Sequence, residues 1–476
     1  MNLKNIILKE RNYEILRKTY ITVFIAAVLT RVLLPIALCE TQLVNSLVFA
    51  IVALFGAAII TIDIFTRRVC FSAKNVGWLV TFLAICALSS LVNAKYGIVG
   101  NIRNLVWLAI SFFLLYPVDE KRTLESVKNE IRYLGNILVT VWFLACSVSM
   151  VMFILQIGYY VDVFPDSFAR LGFIEGRLFG IFEDPNCAAI VALVTIILAI
   201  FNIKQTNKWW HKTFYVLALL VNFCYMVLSG SRTAEVAAIT ITFLAVYFVL
   251  LKKYNEKKIH VIFKQIIMIL TGVFCSLVLI VGLFLTKKTL VYLPEFVSSP
   301  FESASLTETR AKKNIDITRK DVTNSTDVSN CRFKIWLSAI ELFLSKPILG
   351  TSPRNMRTYA KAEFPDGFIA KRSYAVHNAY LDILTSTGIL GAISMCIFLI
   401  KYLIDVFKFL FLRLHDKNYF LVLFSFLIVA TVAISSFFLS EIFFVSTIGV
   451  LVFWLNLGYS YFFMKKSAEQ ERVNEI

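Results

Sequence analysis

Long apolar segments follow one another along most of this chain, and this pattern limits the folds open to it. A run of about 20 apolar residues can cross the ~30 Å hydrocarbon layer of a bilayer as an α-helix. Hydrophobic residues make up 58% of the 476 residues, and the mean hydropathy of +0.75 exceeds that of soluble domains. Glycine and proline are scarce, and alternating hydrophobicity, which would indicate a β-barrel, is not evident. We therefore predict an all-α polytopic membrane protein.

The apolar segments predict about twelve transmembrane helices with one large interruption. The spans are expected near residues 19–38, 43–65, 76–94, 98–118, 133–158, 187–203, 212–229, 233–251, 262–286, 378–407, 418–437 and 443–464. The first nine fall within residues 1–286 and the last three within 377–464, before a tail at 465–476. Residues 287–376 therefore form one large loop between helices 9 and 10.

Lysine and arginine are distributed unequally between the connections, which predicts the orientation in the membrane. The N-terminal segment, the tail and connections such as RRVCFSAK and KKYNEKK carry most of these residues. Because cytoplasmic loops are enriched in Lys and Arg, these parts are predicted to be cytoplasmic. Residues 159–186, the turn at 229–232 and the large loop are then extracytoplasmic. The net charge of +17 is read as a topology signal, so nucleic acid is not expected as a partner.

The large loop has two parts of different composition. Residues 298–330 are polar and contain few apolar side chains, which is typical of a mobile segment. The following stretch, CRFKIWLSAIELFLSKPILG, places apolar side chains at helical spacing, as at Ile335, Trp336 and Ile340. This pattern predicts an amphipathic helix near 332–345 that lies on the membrane face.

Several kinds of site are not supported by the sequence. None of the nine cysteines forms a CxxC pair, so neither a metal site nor a disulfide framework is predicted. Paired carboxylates of glycosidase type, a Ser-His-Asp elbow and the DxD-like pattern of metal-dependent sugar transfer are not found. We predict a site that uses no metal and no other cofactor.

Four positions on the predicted outer side place cationic or titratable side chains among apolar residues. Arg177 lies in GRLFGIFEDPNCAA, Arg232 in an SGSR turn, Arg332 at the start of the amphipathic helix, and His377 at the entrance of the tenth span. Three of these residues have an ordinary structural explanation: a solvated helix face for Arg332, a snorkelling side chain for Arg232, and a hydrogen-bonding residue for His377. Arg177 is less easily explained, because it is a lone cation among Leu, Phe and Ile. The EDPN run after Arg177 by itself predicts a helix N-cap.

The combination of these residues indicates a particular chemistry. Guanidinium groups are permanently charged and offer planar, bidentate donors that suit phosphate oxygens. Histidine titrates near neutrality and can take a proton from a hydroxyl group. Three arginines and a histidine on one side of a membrane protein therefore indicate a site that expels a pyrophosphate leaving group.

Four motifs resemble the O-antigen ligase and polysaccharide polymerase superfamily. They are RLFGIFEDPN (177–186), the SGSR turn, R-x-x-x-W…PILG (332–350) and HNAYL…GILG (377–391). Their order is that of the family, and the last two lie in or close the large external loop, as they do there. The resemblance covers roughly residues 175–395 by motif and the whole chain by topology.

The resemblance implies a metal-independent, inverting glycosyltransferase in the cytoplasmic membrane, with its active site on the extracytoplasmic side. Such enzymes move a glycan from undecaprenyl diphosphate to an acceptor hydroxyl without a nucleotide sugar. By motif, His377 would be the general base, and Arg232 and Arg332 would bind the lipid diphosphate with Arg177 as a third member.

The resemblance also implies supporting residues and partners. Asn378 would orient His377, whereas Tyr380 is equally well explained by packing. The expected partners are lipid-linked donor and acceptor glycans and the bilayer, with a flippase and a chain-length regulator of the same pathway as further candidates.

Two activities within the family, and one outside it, are compatible with the sequence. A polymerase joins lipid-linked repeat units in capsule, exopolysaccharide or O-antigen biosynthesis, and a ligase moves the finished glycan to lipid A core or to a protein. The Lys-, Ile-, Asn- and Phe-rich composition indicates an AT-rich genome, which favours a Gram-positive source without lipid A and hence a polymerase. A lipid-linked oligosaccharide flippase is the third alternative, but the halves of the sequence show no internal repeat.

Overall fold

The computed structural model describes residues 10–39, 42–164, 167–257, 260–302, 315–317 and 330–474. These residues form two compact units. The first combines Met1–Val28, Leu43–Glu130 and Ser329–Ile476, and the second combines Leu29–Gln42 and Ile131–Val328. Three helices contribute residues to both units: α1 (Glu10–Val32), the later α7 (Leu124–Ile154) and, through Gln42 alone, α3 (Gln42–Thr66).

The first unit contains the helices at both ends of the sequence and those that follow the large loop. Besides its parts of α1 and α7, its elements are α3 (Gln42–Thr66), α4 (Val69–Ser72), α5 (Val76–Val92), α6 (Val99–Ile110) with a π-helical extension (Ser111–Leu115), α13 (Arg332–Ser345), α14 (Met356–Glu363), α15 (Phe368–Arg372), α16 (Ala379–Leu412), α17 (Tyr419–Ser435) and α18 (Ile448–Asn474).

The second unit contains the central helices and a small sheet. Besides its parts of α1 and α7, its elements are α2 (Leu34–Cys39), β1 (Gly158–Phe164), β2 (Ser167–Ile174), β3 (Arg177–Gly180), α8 (Pro185–Gln205), α9 (Trp209–Leu228), α10 (Arg232–Tyr254), α11 (Val261–Leu290) and α12 (Leu293–Glu302).

Helices overlap every predicted span, which confirms the predicted all-α polytopic membrane architecture. Among the described residues, eight helices are long and apolar enough to cross a membrane, and three shorter apolar helices accompany them. Many of their large apolar side chains are exposed, for example Leu270 and Phe274 of α11, as expected of surfaces that face lipid. The exact number of spans stays a prediction.

The connection at 159–186 contains a sheet that the sequence analysis did not predict. β1, β2 and β3 form an antiparallel meander, in which Tyr159 faces Leu171 and Ile174 faces Arg177. The strands are only four to eight residues long. Such short strands between long helices carry a weak sequence signal, and the prediction treated this segment only as an extracytoplasmic connection.

The loop at 287–376 is partly helical and has a small core of its own. Its predicted polar segment, 298–330, lies mostly outside the described residues. In the second part, α13 buries Ile335, Ala339 and Leu342 against a cluster that contains Tyr359 and Val376. Other apolar side chains of α13 are exposed: Phe333, Leu337 and Leu344. This second apolar face is the one that a helix lying on a membrane requires.

Buried charges fix the end of the π-helical extension of α6. The Arg17 guanidinium donates to the carbonyl groups of Leu114, Leu115 and Pro117, which lie where the helical hydrogen bonds end. It also pairs with Glu130, which accepts a further hydrogen bond from Tyr459 at 2.7 Å. The buried Arg17 and Glu130 charges therefore compensate each other. Since Arg17 lies near the start of the sequence and Tyr459 near its end, the network joins these two parts of the first unit.

Candidate functional site

The second unit contributes the SGSR turn between α9 and α10. Gly230 has φ +62°, a left-handed conformation that glycine adopts without strain and that lets the chain reverse within three residues. Ser231 caps α10 because its hydroxyl oxygen accepts from the backbone N–H of Ala234 at 3.4 Å. Arg232 is the first residue of α10, and its side chain is exposed. The turn therefore presents a guanidinium at a fixed position beside the positive end of a helix.

Arg177 holds this turn from within the protein. Its side chain is only 4% exposed, and Nε donates to the carbonyl oxygen of Ser229 at 2.8 Å. Its Nη2 donates to Oδ1 of Asn186 at 2.8 Å. The backbone N–H of Asn186 in turn donates to Asp184, which caps α8 as the EDPN run predicts. A chain of hydrogen bonds thus connects the start of α8 to the SGSR turn through the Arg177 guanidinium.

The first unit contributes Arg332 and His377. Arg332 begins α13, directly after Cys331 in a left-handed conformation (φ +64°), and is half-buried. Its guanidinium carbon lies 5.5 Å from the centre of the Phe438 ring, within the range of a cation–π contact. His377 is exposed, has φ +51° and precedes α16 by two residues.

The residues that follow His377 fix the start of α16. The Asn378 side-chain oxygen accepts from the backbone N–H groups of Tyr380 and Leu381 at 3.0 and 3.1 Å, so Asn378 is an N-cap. Tyr380 donates its hydroxyl to the carbonyl of Ala433 at 2.8 Å, and its ring lies 4.5 Å from that of Phe437. Both side chains therefore hold the helix entrance, and the packing explanation for Tyr380 has direct support.

One short segment holds both Arg332 and the His377 region. The carbonyl of Ser436 accepts from the backbone N–H of Ala379 at 2.8 Å. Phe437 packs on Tyr380, and Phe438 lies against Arg332. Residues 436–438 thus contact both Arg332, a predicted phosphate-binding residue, and the start of the helix beside His377, the predicted base.

The PILG and GILG motifs pair with each other. Gly388 interrupts α16 with φ +63° and ψ −165°, and a Cβ there would lie 2.3 Å from the backbone of Ile348. Gly350, with φ +66°, would bring a Cβ within 2.4 Å of the Ser386 backbone. The segments are joined by backbone hydrogen bonds, including Thr351 N–H to the Thr385 carbonyl at 2.9 Å. These glycines are required for close backbone approach, and they fix the loop against α16.

The structure thus supports two pairs among the predicted residues. It brings Arg177 to the turn that carries Arg232, and it brings Arg332 to the segment that contacts Ala379 and Tyr380, close to His377 in the sequence. Among the described residues, no group of three or more His, Cys, Asp or Glu side chains is placed to hold a metal ion.

Two further arginines were missed by the sequence analysis. Arg354 and Arg357 lie in TSPRNMR, directly after the PILG motif, and both side chains are exposed in the first unit. The signal that would have found them is two cations close behind the PILG motif: Arg354 lies two residues before α14, and Arg357 is the second residue of that helix.

The comparisons with known proteins agree with the motifs. The family model described as O-antigen ligase matches residues 215–396, a region that includes Arg232, Arg332 and His377 but not Arg177. A search of curated proteins finds no significant match. Residues 215–396 therefore match the O-antigen ligase family, and this match supports the predicted resemblance to the O-antigen ligase and polymerase superfamily.

Proposed function

We propose that the protein is a polysaccharide polymerase that transfers a glycan from undecaprenyl diphosphate to a hydroxyl group of a second lipid-linked repeat unit. The observation that carries the proposal is the joint anchoring of Arg332 and the His377 region on residues 436–438. Arg332 and His377 both lie inside the O-antigen ligase match. This arrangement combines an anion-binding side chain with a base that is open to solvent.

His377 is the general base of the proposed reaction. Its imidazole takes the proton of the acceptor hydroxyl while the hydroxyl oxygen bonds to the anomeric carbon of the donor. The bond between that carbon and the diphosphate oxygen breaks with its electron pair, and undecaprenyl diphosphate leaves. The proton then passes from the imidazolium to solvent. Attack opposite the leaving group inverts the anomeric centre.

Arg232 and Arg332 bind the donor diphosphate in this proposal. Negative charge grows on the bridging oxygen as the bond breaks, so fixed guanidinium groups stabilise the transition state more than the bound donor. Arg177 receives a different role from the direct contact expected from the motif. Because it is buried and donates to Ser229 and Asn186, it positions the turn that carries Arg232.

A ligase that transfers a finished glycan to another acceptor uses the same chemistry and is the alternative. The two activities differ in what accumulates when the enzyme is lost. We expect a strain that lacks the gene to accumulate single repeat units on the lipid carrier, because units are made but not joined. Long chains stranded on the carrier would show a ligase. Analysis of extracted lipid-linked glycans by gel electrophoresis and mass spectrometry distinguishes the two results.

A further inference from the structure

Three arginines of the first unit, none of them among the residues singled out by the motifs, form a basic group. Arg103 belongs to the second turn of α6, and Arg354 and Arg357 belong to the loop that follows the PILG motif. All three side chains are exposed. We call Arg103, Arg354 and Arg357 the second arginine group.

The fold holds Arg354 against α6. Its backbone N–H donates to the Asn101 side-chain oxygen at 2.9 Å, and a Cβ added at Gly100 would lie 3.4 Å from the Arg354 Cβ. Arg103 follows Gly100 by three residues, so it lies on the same side of the helix. The Asn355 side chain fixes the loop from the other direction by donating to the carbonyls of Asn93 and Gly97 at 3.1 and 2.8 Å.

The same loop is attached to α16. The backbone N–H of Ser352 donates to the Ser386 carbonyl at 2.9 Å, and the Ser386 hydroxyl donates to the Asp382 carboxylate at 3.4 Å. Asp382 follows His377 by five residues, and it interacts electrostatically with Arg354 and Arg357. The second arginine group therefore lies near the entrance of the helix that begins beside His377.

The group carries more positive charge than its surroundings neutralise. Within the described part of the chain, none of its three guanidiniums makes an ion pair, and Asp382 is the one acidic partner that acts on Arg354. Loss of hydration and the Arg103 and Arg357 cations lower the pKa of the Arg354 guanidinium, and the Asp382 carboxylate partly offsets this effect. Guanidinium groups held close together repel one another, so an anion that binds between them is attracted by all of them and relieves this repulsion.

We propose that the second arginine group binds the diphosphate of the acceptor lipid in the polymerase reaction. This inference rests on the proposed function, because a polymerase must hold two lipid diphosphates whereas a ligase holds one. In the proposed function the donor diphosphate is bound by the motif arginines, and it leaves in the reaction. The acceptor diphosphate stays attached to its glycan, so its site needs cations but no base.

Counting bound lipid tests the inference without requiring transfer. The purified full-length protein is titrated with undecaprenyl diphosphate, and native mass spectrometry reports the number of molecules bound per chain. We expect two for the native protein and one for the double variant Arg354→Gln/Arg357→Gln, with affinity at the lost site reduced at least tenfold. Arg232→Ala/Arg332→Ala should lose the other molecule. Arg372→Gln, an exposed arginine of the same loop, is the matched control and should bind two.

The outcomes separate the second site from the proposed function. Two results would overturn the acceptor site and leave the donor site intact. The first is two bound molecules in the Arg354/Arg357 double variant. The second is a single molecule bound by the native protein that only Arg232→Ala/Arg332→Ala removes. No binding by the native protein would overturn both. Phosphatidylglycerol is titrated in parallel. Equal occupancy of the second site by phosphatidylglycerol would show a general anionic-lipid site and contradict an acceptor site.

Discussion

The Nε atom of Arg177 lies 2.8 Å from the carbonyl oxygen of Ser229, so one buried guanidinium joins two motifs that are 52 residues apart. The contact fixes the RLFG run against the SGSR turn. The two arginines look alike in the sequence, but Arg177 is buried and Arg232 is exposed. Arg177 is therefore suited to positioning the turn, and Arg232 to contacting a ligand.

Replacing Arg177 by Met should destabilise the protein and weaken lipid binding together. Hydrogen bonds to charged groups contribute about 1.5–3 kcal/mol each, and the change leaves the Ser229 carbonyl and Asn186 without their donor. We expect a lower unfolding temperature in detergent, and weaker binding of undecaprenyl diphosphate at temperatures where the variant is still folded. Arg170→Met is the control, because Arg170 belongs to the same sheet but forms a more exposed ion pair with Glu175. Equal effects of the two substitutions would contradict a positioning role for Arg177.

Alanine at Gly388 or Gly350 should prevent correct folding of the loop against α16. The conformation of Gly388 lies in a region that is essentially restricted to glycine and costs other residues about 1–3 kcal/mol, before the contact with Ile348 is counted. Thermal unfolding and the yield of monodisperse protein measure the effect. Gly282→Ala, in α11 with no atom within 4 Å of the added Cβ, should leave both unchanged. Normal stability of Gly388→Ala would contradict the described pairing of the PILG and GILG motifs.

The sequence predicted the helices and the motif positions well because both have strong local signals. Apolar segments of span length are unambiguous, and Arg332 coincides with the first residue of a helix. The sheet at 158–180 was missed because its strands are short. The different environments of Arg177 and Arg232 were also missed, because burial depends on contacts such as that with Ser229, far away in the sequence. The second arginine group depends likewise on the long-range contact between Arg354 and Asn101.

Substituting Arg232 or Arg332 by Lys tests the proposed donor site. Lysine keeps the charge but loses the planar pair of donors, so diphosphate stabilisation in the transition state should fall. We expect polymer formation to slow by a factor on the order of 10²–10³ for the loss of such a donor. The rate is followed as glycan chain growth in membranes that contain equal amounts of each variant. Arg372→Lys serves as the control, and native rates for Arg232→Lys would remove Arg232 from the proposed site.

The proposed function depends on His377 as the general base, and complementation of a strain without the gene tests this role. A strain without the gene receives the native protein, His377→Ala or His260→Ala, and its carrier-linked glycans are sized after the amount of each protein in the membrane is matched. His260 is a suitable control because it is also exposed and directly precedes a helix, α11. We predict single repeat units with His377→Ala and native chain lengths with His260→Ala. Chains of native length with His377→Ala would contradict the assignment of His377 as the general base.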